Sequence, residues 1–230
     1  MKTIGLLGGM SWESTSQYYR LINEQIRQQL GGLHSAKISL FSVDFDPLEK
    51  QMRSADWQAC VAILQDGARR VAAAGADFLL LCTNTLHKLA AEIETAIDIP
   101  FIHIIDATAE QIVDQNIKRI GLLGTRFTME ESFYTERLQR YNIATIVPSS
   151  DDRAIVDRVI FNELCLGQIK EPSKDEYLRI IKGLVDWGAE AIIAGCTEIP
   201  LLVPAEECPV PFFDTTALHA AKAVQLALEG

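Results

Sequence analysis

The chain contains itself twice. Residues 119–125, RIGLLGT, repeat 3–9, TIGLLGG, with Ile120 lying 116 residues after Ile4. WGAEAIIAGCTE at 187–198 answers AGADFLLLCTNT at 74–85, Gly188 lying 113 residues after Gly75. Pro211-Phe212 answers Pro100-Phe101 at a spacing of 111. Three matches in one order, at nearly constant spacing, mean a duplicated folding unit rather than one shared turn. A chain of 230 residues has room for two such units, each with its own core. The joint between them falls within 106–118.

Within each copy, apolar runs of strand length alternate with longer amphipathic stretches. Ile4 to Gly8 reads as a buried strand closed by a Gly8-Gly9 turn. Ser11 is placed to cap a helix from Trp12 to Leu30, which Gly31 and Gly32 end. Strands are expected at Ile38 to Val43, Phe78 to Leu81 and Phe101 to Ile104, with one helix ending at Gly75 and another across His87 to Ile97. In the second copy, Ser173 and Glu176 read as a capping box for a helix ending near Gly188. Asp214 or Thr215 is expected to cap a last helix towards Leu228. Strands separated by helices imply right-handed crossovers and parallel sheets. The fold class is therefore α/β, with two pseudo-symmetric domains, each a parallel sheet flanked by helices. Residues 1–107 with 215–230 form the N-terminal domain, and 108–214 the C-terminal one.

Composition narrows the function. The net charge is −10 and no basic cluster tracks a helix face, which argues against nucleic acid and anionic membrane as partners. An anionic small molecule would have to be held by local donors. The N-terminus reaches glycines and polar residues too soon for a secretory signal, and the longest apolar runs are strand-sized. The five cysteines are scattered, odd in number and without a CxxC pair, so neither a metal site nor a disulfide framework is expected, and a reducing cytoplasm is the simplest location. The glycine loop at Gly5, Gly8 and Gly9 has neither GxGxxG nor GxxxxGK[ST] spacing, which removes dinucleotides and nucleoside triphosphates as cofactors.

In open parallel sheets, ligands bind beyond the carboxyl ends of the strands. Thr83 and Cys196 stand 113 residues apart, each just past an apolar strand, and each precedes small polar residues, Asn84-Thr85 and Thr197-Glu198. Two such positions facing one ligand in a cleft between the domains suit inversion at a single carbon. One group removes a proton and the other supplies one to the opposite face. The backbone amides of Asn84, Thr85 and Thr197 are expected to begin helices and bind a carboxylate. Cys196 is the expected base, its thiol acidified by a helix N-terminus.

GLLGGMSWEST at 5–15, NTLH at 84–87, GLLGT at 121–125 and GCTE at 195–198 resemble the aspartate/glutamate racemase family. The resemblance runs essentially the whole chain in order. It implies two pseudo-symmetric α/β domains, no cofactor, two acid/base residues, an amino-acid substrate and a homodimer. Cys196 would face the L-substrate, and Asn84, Thr85 and Thr197 would surround its α-carboxylate. Met10, Ser11 and Thr125 would line the same cleft, with Glu198 beside the base. Two departures stand out. The family usually has cysteine before NTxH, where this chain has Thr83, and Cys82, one residue earlier, should point to the opposite face. Thr83 is therefore a proton relay rather than a second thiol, and kinetics lopsided towards L to D are expected. Gln168 follows Gly167 where aspartate-specific relatives carry lysine, which opens the range to aspartate, glutamate or beyond. Alternatives are a hydantoin racemase, maleate isomerase or arylmalonate decarboxylase chemistry, or a silent amino-acid-binding protein. Arg53 and Arg126 are candidate ligands for a side-chain carboxylate. His87 either orients the site or packs on a helix surface, and Trp57 belongs to the core.

Overall fold

The computed structural model describes residues 1–229. Its strands are β1 (Ile4–Gly8), β2 (Ile38–Ser42), β3 (Phe78–Leu81), β4 (Phe101–Ile102), β5 (Arg119–Gly124), β6 (Ala144–Ile146), β7 (Ala191–Gly195) and β8 (Phe212–Asp214). The first copy carries helices α1 (Trp12–Leu30), α2 (Phe45–Arg53), α3 (Trp57–Ala73), α4 (Ala90–Glu94) and α5 (Ile104–Asp114). The second carries α6 (Arg126–Glu130), α7 (Ser132–Gln139), α8 (Ser150–Asn162), α9 (Glu171–Asp186), α10 (Ile199–Leu202) and α11 (Thr215–Leu228).

Two four-stranded sheets have the same order, β2-β1-β3-β4 and β6-β5-β7-β8, and every pairing is parallel. Ile4 pairs with Phe78 in the first and Ile120 with Ala191 in the second, so the sequence repeat is also a repeat of register. Almost every residue of β1, β3, β5 and β7 is buried. Central strands covered on both faces must be apolar throughout, which is why these runs show no alternation. The chain divides into two compact units, Met1–Ile104 with the residues from His219 onward, and Ile105–Leu218. The joint expected within 106–118 is largely helical, since α5 occupies most of it.

In the first unit Ile4, Leu6, Tyr18, Ile22, Ile26 and Leu80 pack against Ala220, Ala223, Val224 and Ala227 of α11. The Lys2 amide also donates to the Ala227 carbonyl at 2.9 Å. The second unit's core gathers Leu123, Val156, Ile160, Tyr177, Ile181 and Ile192, and Cys196 belongs to the same cluster. Each fully buried Leu or Ile contributes about 1.5–3 kcal/mol.

Several local expectations change. The helix expected across 87–97 is broken into a 3-10 turn, Thr85–Leu89, followed by the short α4. The strand expected to Ile104 stops at Ile102, because Ile104 already begins α5. Ser173 does not cap α9. Lys170 occupies that position, Pro172 sits in the first turn, and the Ser173 hydroxyl donates to Glu163 at 2.6 Å. The helix starts at Glu171, two residues earlier than a Ser173 cap would allow, so Ser173 lies in its first turn.

Candidate functional site

The strand order reverses between β1 and β3 in one unit and between β5 and β7 in the other. The carboxyl ends of these neighbouring strands form the crevice where open α/β sheets hold ligands. In the first unit that crevice receives Met10 and Ser11 from the loop after β1, and Thr83, Asn84 and Thr85 from the loop after β3. In the second it receives Thr125 after β5, and Cys196, Thr197 and Glu198 after β7. All nine are buried, and Thr83 and Cys196 are each 8% exposed.

The glycine loops set these ends. A methyl group at Gly8 would enter the Thr15 side chain, and one at Gly124 would meet Thr128 Cγ2 and the Gly195 carbonyl, each at 2.9 Å. Each loop can therefore lie flat on its first helix. Ser11 caps α1 by accepting the Ser14 amide at 3.2 Å, and Thr125 caps α6 by accepting the Thr128 amide at 3.3 Å. Gly9 holds φ at +96°, and its amide donates to Thr15 Oγ1 at 2.8 Å.

Cys196 departs from expectation in its protonation. The helix that follows it, α10, is only four residues long, and Glu198 rather than the thiol occupies its N-cap. The thiol donates to Glu198 Oε2 at 3.0 Å, and the Thr197 hydroxyl donates to the same oxygen at 2.5 Å. Cys165 approaches Glu198 Oε1 at 4.0 Å. Burial first, and then the Glu198 charge, push the thiol well above its ordinary range. Cys196 at rest is a thiol bonded to a carboxylate, not the acidified thiolate that a helix terminus would create.

On the other unit's strand end, Cys82 is fully buried in the core with Ile4 and Leu80, and burial alone raises its thiol strongly. Its side chain is part of the first unit's apolar core. The Ser14 hydroxyl donates to the Cys82 carbonyl at 3.0 Å, which pins the backbone beside Thr83. His87 is buried, with Nδ1 at 2.7 Å from the Thr83 carbonyl. It is therefore packed inside the first unit beside the Thr83 backbone, not on a helix surface.

Arg53 is paired with Glu49, and Arg126 with Glu130 at 3.4 Å. Both are surface ion pairs of neighbouring helical turns. Trp57 lies under Lys88, whose Nζ is 3.7 Å from the ring centroid. Cys165 also stands near Glu198. It lies 33 residues from that carboxylate in the chain, and no motif marks the contact. Among the described residues no cluster of three or more metal-ligating side chains is found, and no helix is long and apolar enough to cross a membrane.

The family model of the Asp/Glu/hydantoin racemases matches residues 7–223, nearly the whole chain. The chain belongs to this family of isomerases. A candidate Asp/Glu racemase from Yersinia pestis is 53% identical, with a TM-score of 0.93 over 99% of this chain and 100% of that one. An aspartate racemase homologue from Pyrococcus horikoshii is 31% identical, with a TM-score of 0.86 over 99% of each chain. The broad specificity amino-acid racemase RacX of Bacillus subtilis is 23% identical over 98% of both sequences. The two parallel sheets are the architecture of Asp/Glu racemase structures, and the family resemblance of the sequence motifs holds across the chain.

Proposed function

We propose that this racemase inverts the α-carbon of an amino acid without a cofactor, with Cys196 serving the L-face and Thr83 the D-face. The observation that carries the reading is the 3.0 Å contact between the Cys196 thiol and the Glu198 carboxylate. It sits at a strand end whose counterpart in the other copy is Thr83. A buried thiol needs an acceptor before it can act as a base, and one is already bonded to it.

Glu198 takes the thiol proton, so an S–H bond breaks and an O–H bond forms. The thiolate then takes the α-proton of the L-amino acid, and the electron pair left on carbon spreads into the α-carboxylate. The Thr83 hydroxyl gives its proton to the opposite face of that carbon and takes another from water, while Glu198 returns the thiol's proton to solvent, so carboxylate, thiol and hydroxyl are all restored. The reverse sequence starts from the D-amino acid. The amides of Asn84, Thr85 and Thr197, with Met10, Ser11 and Thr125, hold the substrate. Donors to its carboxylate matter most, because charge accumulates there in the transition state. Thr83 is a weaker acid and base than a thiol, so the two half-reactions run at different intrinsic rates. The aspartate, glutamate or wider range follows from Gln168, which offers a donor without a charge.

The test is incubation with L-aspartate, L-glutamate and a neutral panel in D₂O. The expected result is the D-enantiomer carrying deuterium at Cα, abolished in Cys196→Ala. Binding with no deuterium at Cα would refute it.

A further inference from the structure

We infer that His87 is the positioning residue for Thr83: its neutral ring clamps the Thr83 carbonyl and so aims the hydroxyl that serves the D-face. The inference rests on the racemase reading above, and deepens it.

The two copies treat this backbone differently. After β7, the Cys196 carbonyl accepts the Ile199 amide at 3.2 Å, a local turn bond that uses no side chain. After β3, the His87 amide is bonded to the Asn84 carbonyl at 3.1 Å, as the 3-10 turn requires. The Thr83 carbonyl instead meets Nδ1 of the His87 ring at 2.7 Å. The position matching His87 in the second copy, 113 residues on, is Pro200, whose ring nitrogen cannot donate. The histidine clamp therefore exists only in the first copy, on the backbone of Thr83.

The partners set the tautomer. The Ile104 amide can only donate, and it reaches His87 Nε2 at 3.2 Å, so Nε2 carries the lone pair. The Thr83 carbonyl can only accept, so Nδ1 carries the proton. The ring thus ties the end of β3 to the start of α5, using an amide that a helix's first turn leaves without an intrahelical partner. His103 and Phe101 pack on it, with ring centroids at 4.5 and 5.5 Å. A ring held at both nitrogens and flanked by two tilted rings is a rigid strut. Rigidity matters here because a short hydroxyl cannot swing to correct its aim, and a displacement of about 1 Å can cost about 100-fold in rate.

The test compares His87→Asn, whose amide can replace Nδ1–H, with His87→Leu, which removes the donor. Two quantities are measured in D₂O on the full chain. Conversion of L to D needs both Cys196 and Thr83, whereas deuterium in the recovered L-enantiomer needs only Cys196. We expect His87→Leu to lose at least tenfold in conversion while wash-in to L stays within about threefold. His87→Asn should keep both within threefold of the parent. Equal loss of both quantities in His87→Leu, equal loss in His87→Asn, or no loss in either variant overturns the assignment. Absence of deuterium at Cα of either enantiomer with the unaltered enzyme refutes the racemase reading itself, and this inference with it.

Discussion

Replacing Glu198 by glutamine should uncouple the reactivity of Cys196 from the rate of the enzyme. The contact at 3.0 Å is a hydrogen bond to a charged group, worth about 1.5–3 kcal/mol in favour of the protonated thiol. Glutamine removes the charge and can donate its own N–H to a thiolate. At about 1.4 kcal/mol per factor of ten, the thiolate fraction at pH 7 should rise about tenfold or more. The burial that contributes most to the raised thiol remains, so the change is partial. Alkylation of Cys196 by iodoacetamide at fixed pH, read by mass spectrometry of its peptide, should therefore accelerate. Racemisation should nonetheless slow by about 100-fold or more, the usual scale for loss of a general base. An unchanged alkylation rate would refute the electrostatic argument. Faster alkylation with undiminished or faster turnover would show that Glu198 merely restrains the thiol and takes no proton in the reaction.

Other outcomes follow from the same geometry. Thr83→Cys should raise deuterium wash-in to recovered D-enantiomer by at least tenfold while leaving wash-in to L nearly unchanged, measured by NMR at Cα. His219 is fully buried, with Nδ1 accepting the Tyr18 hydroxyl at 2.8 Å and Nε2–H donating to the Ile102 carbonyl at 2.8 Å. Burial lowers its pKa from 6.5 to about 4. The unfolded chain then binds the extra proton first, so stability is complete above pH 6.5 and falls as pH drops towards 4. The loss amounts to about 3 kcal/mol from this group, and urea titrations across that range should show it. A flat profile would count against a neutral His219. Gly124→Ala should cost about 1–3 kcal/mol through overpacking against Thr128 and the Gly195 carbonyl, visible as a lowered urea midpoint.

Much of the molecule is legible in the amino-acid sequence because it depends on local patterns. The duplication, the apolar runs that become β1, β3, β5 and β7, and the caps at Ser11 and Asp214 are all short-range signals, and the structure contains each of them. The placement of residues 83 and 196 at equivalent strand ends follows from that repeat. Tertiary structure decided what those residues are chemically. Cys196 is a protonated thiol because folding buries it beside a carboxylate, and desolvation depends on the whole core rather than on GCTE. Ser173 lies inside α9 and its hydroxyl donates to Glu163, a partner ten residues away in sequence that comes within reach only once α8 and α9 pack. His219 joins the first unit, bonding Tyr18 across 201 residues of chain. Burial and long-range hydrogen bonds set protonation, and neither quantity exists until the chain has folded.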